Sequence, residues 1–349
     1  SSAIRAIFEY GKKRIAEVGA ENVFDFSIGN PSVAAPDCVK EALASLVLEG
    51  DPVALHGYTS AQGDAAVRKA CADYITATHG TACGADDFYM TCGAAASLTI
   101  SLNALSCEGN EVVVFAPYFP EYKVFINQAG MKCVEVKCSE EDFQIDFAAF
   151  EAALNENTKA VIINSPNNPS GAVFSQSTIE KLACILNAAE QKYGHSIFII
   201  ADEPYRELVY DAETVVPFIP NFYDNTIVCY SFSKSLSLPG ERIGYVFVSP
   251  KAAAHDEVYF AVCGAGRALG FVCAPALFQK IVPMCIGKTA DLSVYKKNRD
   301  ILCSALTQYG YKVVKPDGAF YLFVKALEED AHAFCEKAKA HDLLVVASD

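Results

Sequence analysis

An α/β fold, with a mostly parallel central sheet sandwiched by helices, is predicted by three features of the chain. Short apolar runs at 111–115, 160–163, 197–200 and 226–230 alternate with helix-length amphipathic segments such as 175–193. Near-continuous apolar strands of this kind are buried on both faces, as a parallel sheet under two helix layers requires. The 349 residues exceed the ~250–300 at which one hydrophobic core stops growing, so two domains are expected. A composition of 52% hydrophobic and 20% charged residues, with 22 Phe and 17 Tyr, supplies large cores and carries no signature of disorder.

The elements follow in order. Ile4, Ile7, Phe8, Ile15 and Val18 recur at roughly helical spacing, predicting a first helix within 1–20. Asp37 is placed to cap a second helix carrying Val39, Leu43 and Leu46. The four apolar runs then read as strands. Beyond 255 the pattern changes to a long helix over 293–310, a turn at Pro316-Asp317-Gly318 and an apolar strand over 319–324. We therefore expect a large α/β domain over 46–254 and a smaller α+β domain made of 1–45 together with 255–349.

The formal net charge of −14 argues against a nucleic-acid partner, because displacing phosphate counterions needs clustered Lys and Arg. No apolar stretch approaches the ~18 residues of a membrane span, and the first ten residues lack a basic region followed by an apolar signal core. The expectation is a cytoplasmic protein without membrane association. The 14 cysteines lie in apolar contexts such as Ile227-Val-Cys229, with no C-x-x-C pair, and read as small buried hydrophobes. The six histidines are too scattered to suggest a zinc site, so no metal is expected.

Each predicted strand is followed by a group of chemical use: Phe119, Asn168, Asp202 and Lys234. Open α/β sheets bind ligands at these carboxyl ends. Polar loops are the ordinary content of such places, yet four ends carrying complementary groups argue for a site. Lys234 stands beside Ser231 and Ser233 and shortly before Arg242, an arrangement that suits an amine forming a Schiff base next to a phosphate. For Arg242 a surface ion pair is the plainer alternative. Gly93-Ala94-Ala95 opens an Ala/Leu-rich helix whose N–H groups can approach a phosphate closely, although such a start also serves simple packing. Asp202 suits a carboxylate that keeps a ring nitrogen protonated; capping the next helix is its common structural use.

The segments Asn164-Ser-Pro-Asn-Asn168-Pro-Ser-Gly171, Ile199-Ile-Ala-Asp202-Glu-Pro-Tyr205 and Ser231-Phe-Ser-Lys234, colinear and correctly separated, resemble the aspartate aminotransferase-like class I/II aminotransferases of the fold-type I pyridoxal-phosphate enzymes. Earlier landmarks extend the resemblance over nearly the whole chain: Phe26-Ser-Ile-Gly29, Gly57-Tyr58 with Gly63 and Arg68, Thr91-Cys-Gly93 and Ala116-Pro117-Tyr-Phe119. The resemblance implies pyridoxal 5'-phosphate held on Lys234 as a Schiff base. It places Gly93, Ala94, Ala95, Ser231, Ser233 and Arg242 around the phosphate. It sets Asp202 on the ring nitrogen, Asn168 and Tyr205 on the phenolic oxygen, and Phe119 against the ring face, with Tyr118 and Tyr122 as neighbouring candidates. It further implies ping-pong amino transfer between an amino acid and a 2-oxoacid, Lys234 acting as general base, and a homodimer in which Tyr58 reaches the partner's phosphate. Gly29 and Asn168 then face the substrate carboxylate.

One departure concerns the substrate. Family members carry a carboxylate-binding arginine shortly after a strand resembling 343–346, whereas this sequence stops at Asp349 without one. A tail beyond the given sequence is the favoured expectation, with altered carboxylate binding as the alternative. Arg267 lies near where some dicarboxylate-specific members bind the substrate side chain, set against a solvated or structural arginine. A β-lyase of the C–S lyase type on the same fold stays open. A regulator's cofactor-binding module is disfavoured, since the residues before Phe26 are too few and too weakly basic for a winged helix.

Overall fold

The computed structural model describes residues 3–348, with side chains from residue 6 onward; Ile4, expected on the first helix's apolar face, and Asp349 lie outside those descriptions. Nine strands are present among them: β1 Phe24–Asp25, β2 Phe88–Thr91, β3 Glu111–Ala116, β4 Lys132–Lys137, β5 Thr158–Asn164, β6 Phe198–Asp202, β7 Thr226–Ser231, β8 Gly244–Val248 and β9 Leu343–Leu344. The helices are α1 Ala3–Val18, α2 Asp37–Glu49, α3 Pro52–His56, α4 Ala65–His79, α5 Ala94–Leu105, α6 Glu121–Gln128, α7 Phe147–Ala153, α8 Gln176–Tyr193, α9 Phe232–Ser235, α10 His255–Ala268, α11 Ala276–Cys285, α12 Leu292–Gln308 and α13 Ala331–Lys339. None is long and apolar enough to cross a membrane.

Seven strands form one sheet in the order β2-β8-β7-β6-β5-β3-β4. Strand β8 runs antiparallel to both its neighbours, and every other adjacent pair is parallel. Successive strand residues point to opposite faces, and the two cores divide accordingly. Val113, Phe115, Val161, Ile163, Ile199, Ala201 and Val228 pack under α4, α8 and α11. Val112, Val114, Ala160, Ile162, Ile200, Ile227 and Cys229 pack under α5 and α6. Each fully buried Ile or Val on these faces contributes roughly 1.5–3 kcal/mol relative to exposure, which explains why the four apolar runs were visible in the sequence.

The expected helix over 175–193 is α8, held at its start by Ser175, whose hydroxyl accepts from Thr178 N–H at 3.1 Å. Asp37 is the first residue of α2 rather than its cap; Pro36 occupies the cap, and Asp37 faces the helix's positive end from inside the first turn. The expected strand over 319–324 does not form. Among the described residues, apart from an isolated bridge between Val313 and Val324, this segment has no neighbouring strand, and the backbone entering it is tied elsewhere. Gly318 N–H donates to Gly171 O at 3.0 Å and Ala319 N–H to Leu208 O at 2.8 Å.

After residue 254, α10 lies along α5, and its Val262 belongs to the same core. Helix α11 packs on α2 and α4. Farther on, β9 pairs in parallel with β1, joining the two ends of the described chain.

Candidate active site

The parallel strands β3, β5, β6 and β7 finish side by side, and β2, running with them, ends at the same edge. Asp202, the last residue of β6, is 5% exposed. The Tyr122 hydroxyl, from α6, donates to its Oδ2. Asn164, at the end of β5, donates through Nδ2 to Asp202 O at 2.8 Å and reaches Oδ2 at 3.5 Å. The other carboxylate oxygen, Oδ1, is buried without a partner. Burial pushes the Asp202 carboxyl up to about 7, the Tyr122 bond working in the opposite direction. Turn residues follow it rather than a helix, so Asp202 is not a cap.

The loop after β5 turns back on itself, with Asn168 N–H donating to Asn164 Oδ1 at 2.7 Å. Tyr205 is buried beside it, its hydroxyl 2.7 Å from that of Tyr321. Rings of Phe320 and Tyr321 meet Tyr205 edge-on, at 5.8 and 5.6 Å between centroids. Burial holds the Tyr205 phenol well above its ordinary range.

Lys234 sits in the single turn α9, whose start is fixed by Ser231 Oγ accepting from Ser233 N–H at 3.1 Å. Its Nζ donates to Gly29 O at 2.7 Å and lies 5.2 Å from the Phe320 ring centroid. Burial, then the Arg242 charge, lower the ammonium to about 8. An appreciable fraction is therefore free amine near neutrality.

Gly93 precedes α5 with φ +85°, a conformation that glycine adopts without penalty, and Ala94 and Ala95 form the helix's first turn. A Cβ on Gly93 would lie 2.6 Å from Arg242 Nη2. Ser231 Oγ donates to Ser233 Oγ at 2.6 Å. Arg242 Nη1 donates to Pro239 O at 2.9 Å and to Ser233 Oγ at 3.5 Å, and among the described residues Arg242 pairs with no carboxylate. The ion-pair alternative for Arg242 thus finds no partner.

The edge of the sheet therefore brings together Gly29, Gly93, Ala94, Ala95, Asn168, Asp202, Tyr205, Ser231, Ser233, Lys234 and Arg242. Phe119 stands half-buried against Tyr122, its ring perpendicular at 5.7 Å. Two expected residues stay apart. Tyr58 is 99% exposed, and Arg267 is exposed near the end of α10; neither hydrogen-bonds or pairs with the groups above.

Sequence reasoning missed Asn164 and Tyr321 and weighed Tyr122 only as a ring neighbour. Tyr122 lies one turn beyond Phe119, which is a usable signal. Nothing local marked Tyr321, whose role depends on a contact spanning 116 residues.

This donor set fits a planar heteroaromatic ring with a phosphate arm. The unpartnered Asp202 Oδ1 could accept from a ring N–H, the Cβ-free Gly93 leaves open the approach to Arg242, and Lys234 could offer an amine to a carbonyl.

The family model for aminotransferase class I and II matches residues 21–347. A probable N-acetyl-LL-diaminopimelate aminotransferase of Bacillus subtilis is 30% identical over 87% of this chain and 74% of its own length. The aspartate aminotransferase of Thermotoga maritima is 30% identical over 91% and 80%. Among solved structures, an amino transferase from Eubacterium rectale superposes with TM-score 0.96 at 60% identity, covering 99% of this chain and 87% of that one. Aspartate aminotransferase from Thermus thermophilus with maleate gives 0.84 at 25% identity, covering 97% and 87%.

Proposed function

The chain belongs to the class I and II aminotransferases, and from that premise we propose that it moves an amino group between an amino acid and a 2-oxoacid using pyridoxal 5'-phosphate held at the sheet edge. The observation that carries the site is Asp202 Oδ1, a buried carboxylate oxygen with no partner at the same sheet edge as Lys234. A protonated pyridine nitrogen would satisfy it and keep the carboxylate ionised. Lys234 Nζ would take the cofactor's carbonyl. Gly93, Ala94, Ala95, Ser231, Ser233 and Arg242 would bind the phosphate. Asn168 and Tyr205 would hydrogen-bond the ring's phenolic oxygen, and Phe119 would cover one face by offset stacking.

Once bound, the cofactor supplies an electron sink for the pair released when the substrate's α-C–H bond breaks. The protein's own part is acid–base and positional. Lys234 Nζ, set near pH 8 by burial, takes the α-proton and returns it on the other side of the transfer. Gly29 O, now holding the amine at 2.7 Å, defines where that amine waits. Gly29 and Asn168 would face the substrate carboxylate, whereas Arg267, exposed and apart from these groups, is given no part in the proposal.

A symmetric homodimer completes this reading. Tyr58, fully exposed, would reach the partner's phosphate site. The division into a large domain over 46–254 and a smaller one of 1–45 with 255–349 belongs to the same proposal. So does cytoplasmic residence, which the fourteen free cysteines favour.

The test is the visible spectrum of the protein with pyridoxal phosphate, before and after an amino acid donor is added without an oxoacid. Conversion of the yellow band to the pyridoxamine spectrum, with release of the matching oxoacid, is expected. Stoichiometric ammonia and pyruvate from a cysteine-type substrate, without that conversion, would instead establish the lyase. Lys234→Ala should fold and fail to turn over; near-normal transamination by it would overturn the site.

A further inference from the structure

We infer that Tyr321 is a positioning residue for the cofactor, donating its hydroxyl proton to Tyr205 so that Tyr205's own proton stays directed at the ring's phenolic oxygen. The inference rests on the proposed function and assigns a part to the C-terminal segment of the chain.

Three observations carry it. The two phenols are 2.7 Å apart, both rings are largely enclosed, and no other side chain hydrogen-bonds the Tyr321 hydroxyl among the described residues. A phenol owns one proton. If Tyr205 spends its proton on the cofactor, it meets Tyr321 only as an acceptor, and Tyr321 must donate. Accepting that bond strengthens Tyr205 as a donor, since hydrogen bonds in a chain polarise one another.

The second observation is the placement of Tyr321 over Gly29. A Cβ at Gly29 would collide with the Tyr321 ring, and the same glycine's carbonyl accepts from Lys234 Nζ. Tyr321 therefore lies between the resting amine's acceptor and Tyr205. Third, the backbone leading to it is anchored by Asp317 and Gly318 N–H groups to Gly171 O, both at 3.0 Å, by Ala319 N–H to Leu208 O, and by the Tyr210 hydroxyl to Ala319 O. Those anchors sit in the loops that also carry Asn168 and Tyr205. An apolar residue would fill the same space; the hydroxyl is what the geometry uses.

The charged groups facing the pair are Asp202, below Tyr205, and Lys234, which also feels Arg242. All three stay in place when a hydroxyl alone is removed, so Tyr321→Phe isolates the bond. Weaker donation to the phenolic oxygen leaves more negative charge there, which favours the protonated form of the Lys234 linkage.

The experiment compares wild type, Tyr321→Phe, Tyr205→Phe and the double variant, each prepared as apoprotein and titrated with pyridoxal phosphate. Two quantities are read: the dissociation constant, and the pH midpoint of the bound cofactor's visible spectrum. Tyr321→Phe should raise the midpoint by a few tenths of a unit and weaken binding roughly two- to fivefold. Tyr205→Phe should do more, and the double variant should match Tyr205→Phe alone, because Tyr321 acts through it. An unchanged midpoint in Tyr321→Phe, or a double variant displaced by the sum of the two singles, would overturn the inference while leaving the proposed function intact. A wild-type protein that takes up no pyridoxal phosphate would remove both.

Discussion

The Tyr122 hydroxyl donates to Asp202 Oδ2, while Asp202 Oδ1 is buried without a partner. Strand β6 thus ends on a half-satisfied carboxylate. Leaving such an atom unpaired costs the folded protein about 1–3 kcal/mol, and a bound ring N–H would recover it. The site is in this sense poised for a cation.

Asp202→Asn tests that poise through pH. The carboxyl rises from 3.8 to about 7 on folding, so between those values the folded state holds more protons than the unfolded. Stability therefore falls as pH rises through this window, and the penalty is complete above 7. The apo Asn variant should be more stable than apo wild type at pH 8, by on the order of 2–4 kcal/mol, with the gap closing towards pH 4. Its cofactor binding should weaken and turnover drop at least a hundredfold. Denaturant melts of the apoproteins at pH 5 and 8 check the first part; a pH-independent gap would count against it.

Lys234 carries the opposite sign. Its folded value, lowered from 10.5 to about 8, penalises the ammonium below pH 8, and the penalty fades as pH rises towards 10.5. Only the free amine attacks a carbonyl. Uptake of pyridoxal phosphate by the apoprotein should accelerate several-fold between pH 7 and 9 and then level off, as stopped-flow absorbance would report. A rate still climbing at pH 10 would show an amine of ordinary basicity. Borohydride reduction should fix label on wild type and none on Lys234→Ala.

The parts of the site legible in the sequence were those confined to one strand end. Asp202, Asn168 and Lys234 each follow an apolar run whose burial on both faces leaves a periodic trace, so their placement at one sheet edge followed from the alternation. Strands β2 and β8 left less to read: only the pairing of Thr91 with Gly244 brings Gly93 beside Ser231. Tyr321 was misread for a physical reason. The run from Ala319 to Val324 has β-favouring residues, but the backbone entering it is tied to distant loops through the N–H groups of Asp317, Gly318 and Ala319, and side-chain pattern carries no record of that. Asp37 shows the limit for helix ends, where cap and first residue differ by one position.

His79, at the end of α4, marks an acid-sensitive joint. Its ring stacks on Phe218 at 4.4 Å and 13°, and its Nε2 is buried without a partner. Burial, helped by the Arg206 charge, lowers it from 6.5 to about 4. The folded state then binds fewer protons than the unfolded between those values, so stability is lost as pH falls from 6.5 to 4. His79→Phe should keep the stack and flatten this part of the curve, by about 1–2 kcal/mol at pH 4.5 once residual exposure is allowed for. Parallel stability profiles for the two proteins would refute the assignment.

Gly93→Ala separates backbone from side-chain effects at the phosphate end. The residue has φ +85°, where a Cβ is strained, and that Cβ would come 2.6 Å from Arg242 Nη2. Two costs follow. The backbone term should lower apoprotein stability by about 1 kcal/mol. The collision displaces the guanidinium, whose anchors among the described residues are Pro239 O and Ser233 Oγ, so the second cost appears on ligand binding. Affinity for pyridoxal phosphate should fall more than tenfold, whereas affinity for pyridoxal, which has no phosphate to lose contact with, should change little. Equal losses for the two ligands would show that Gly93 shapes the ring pocket and not the phosphate cradle.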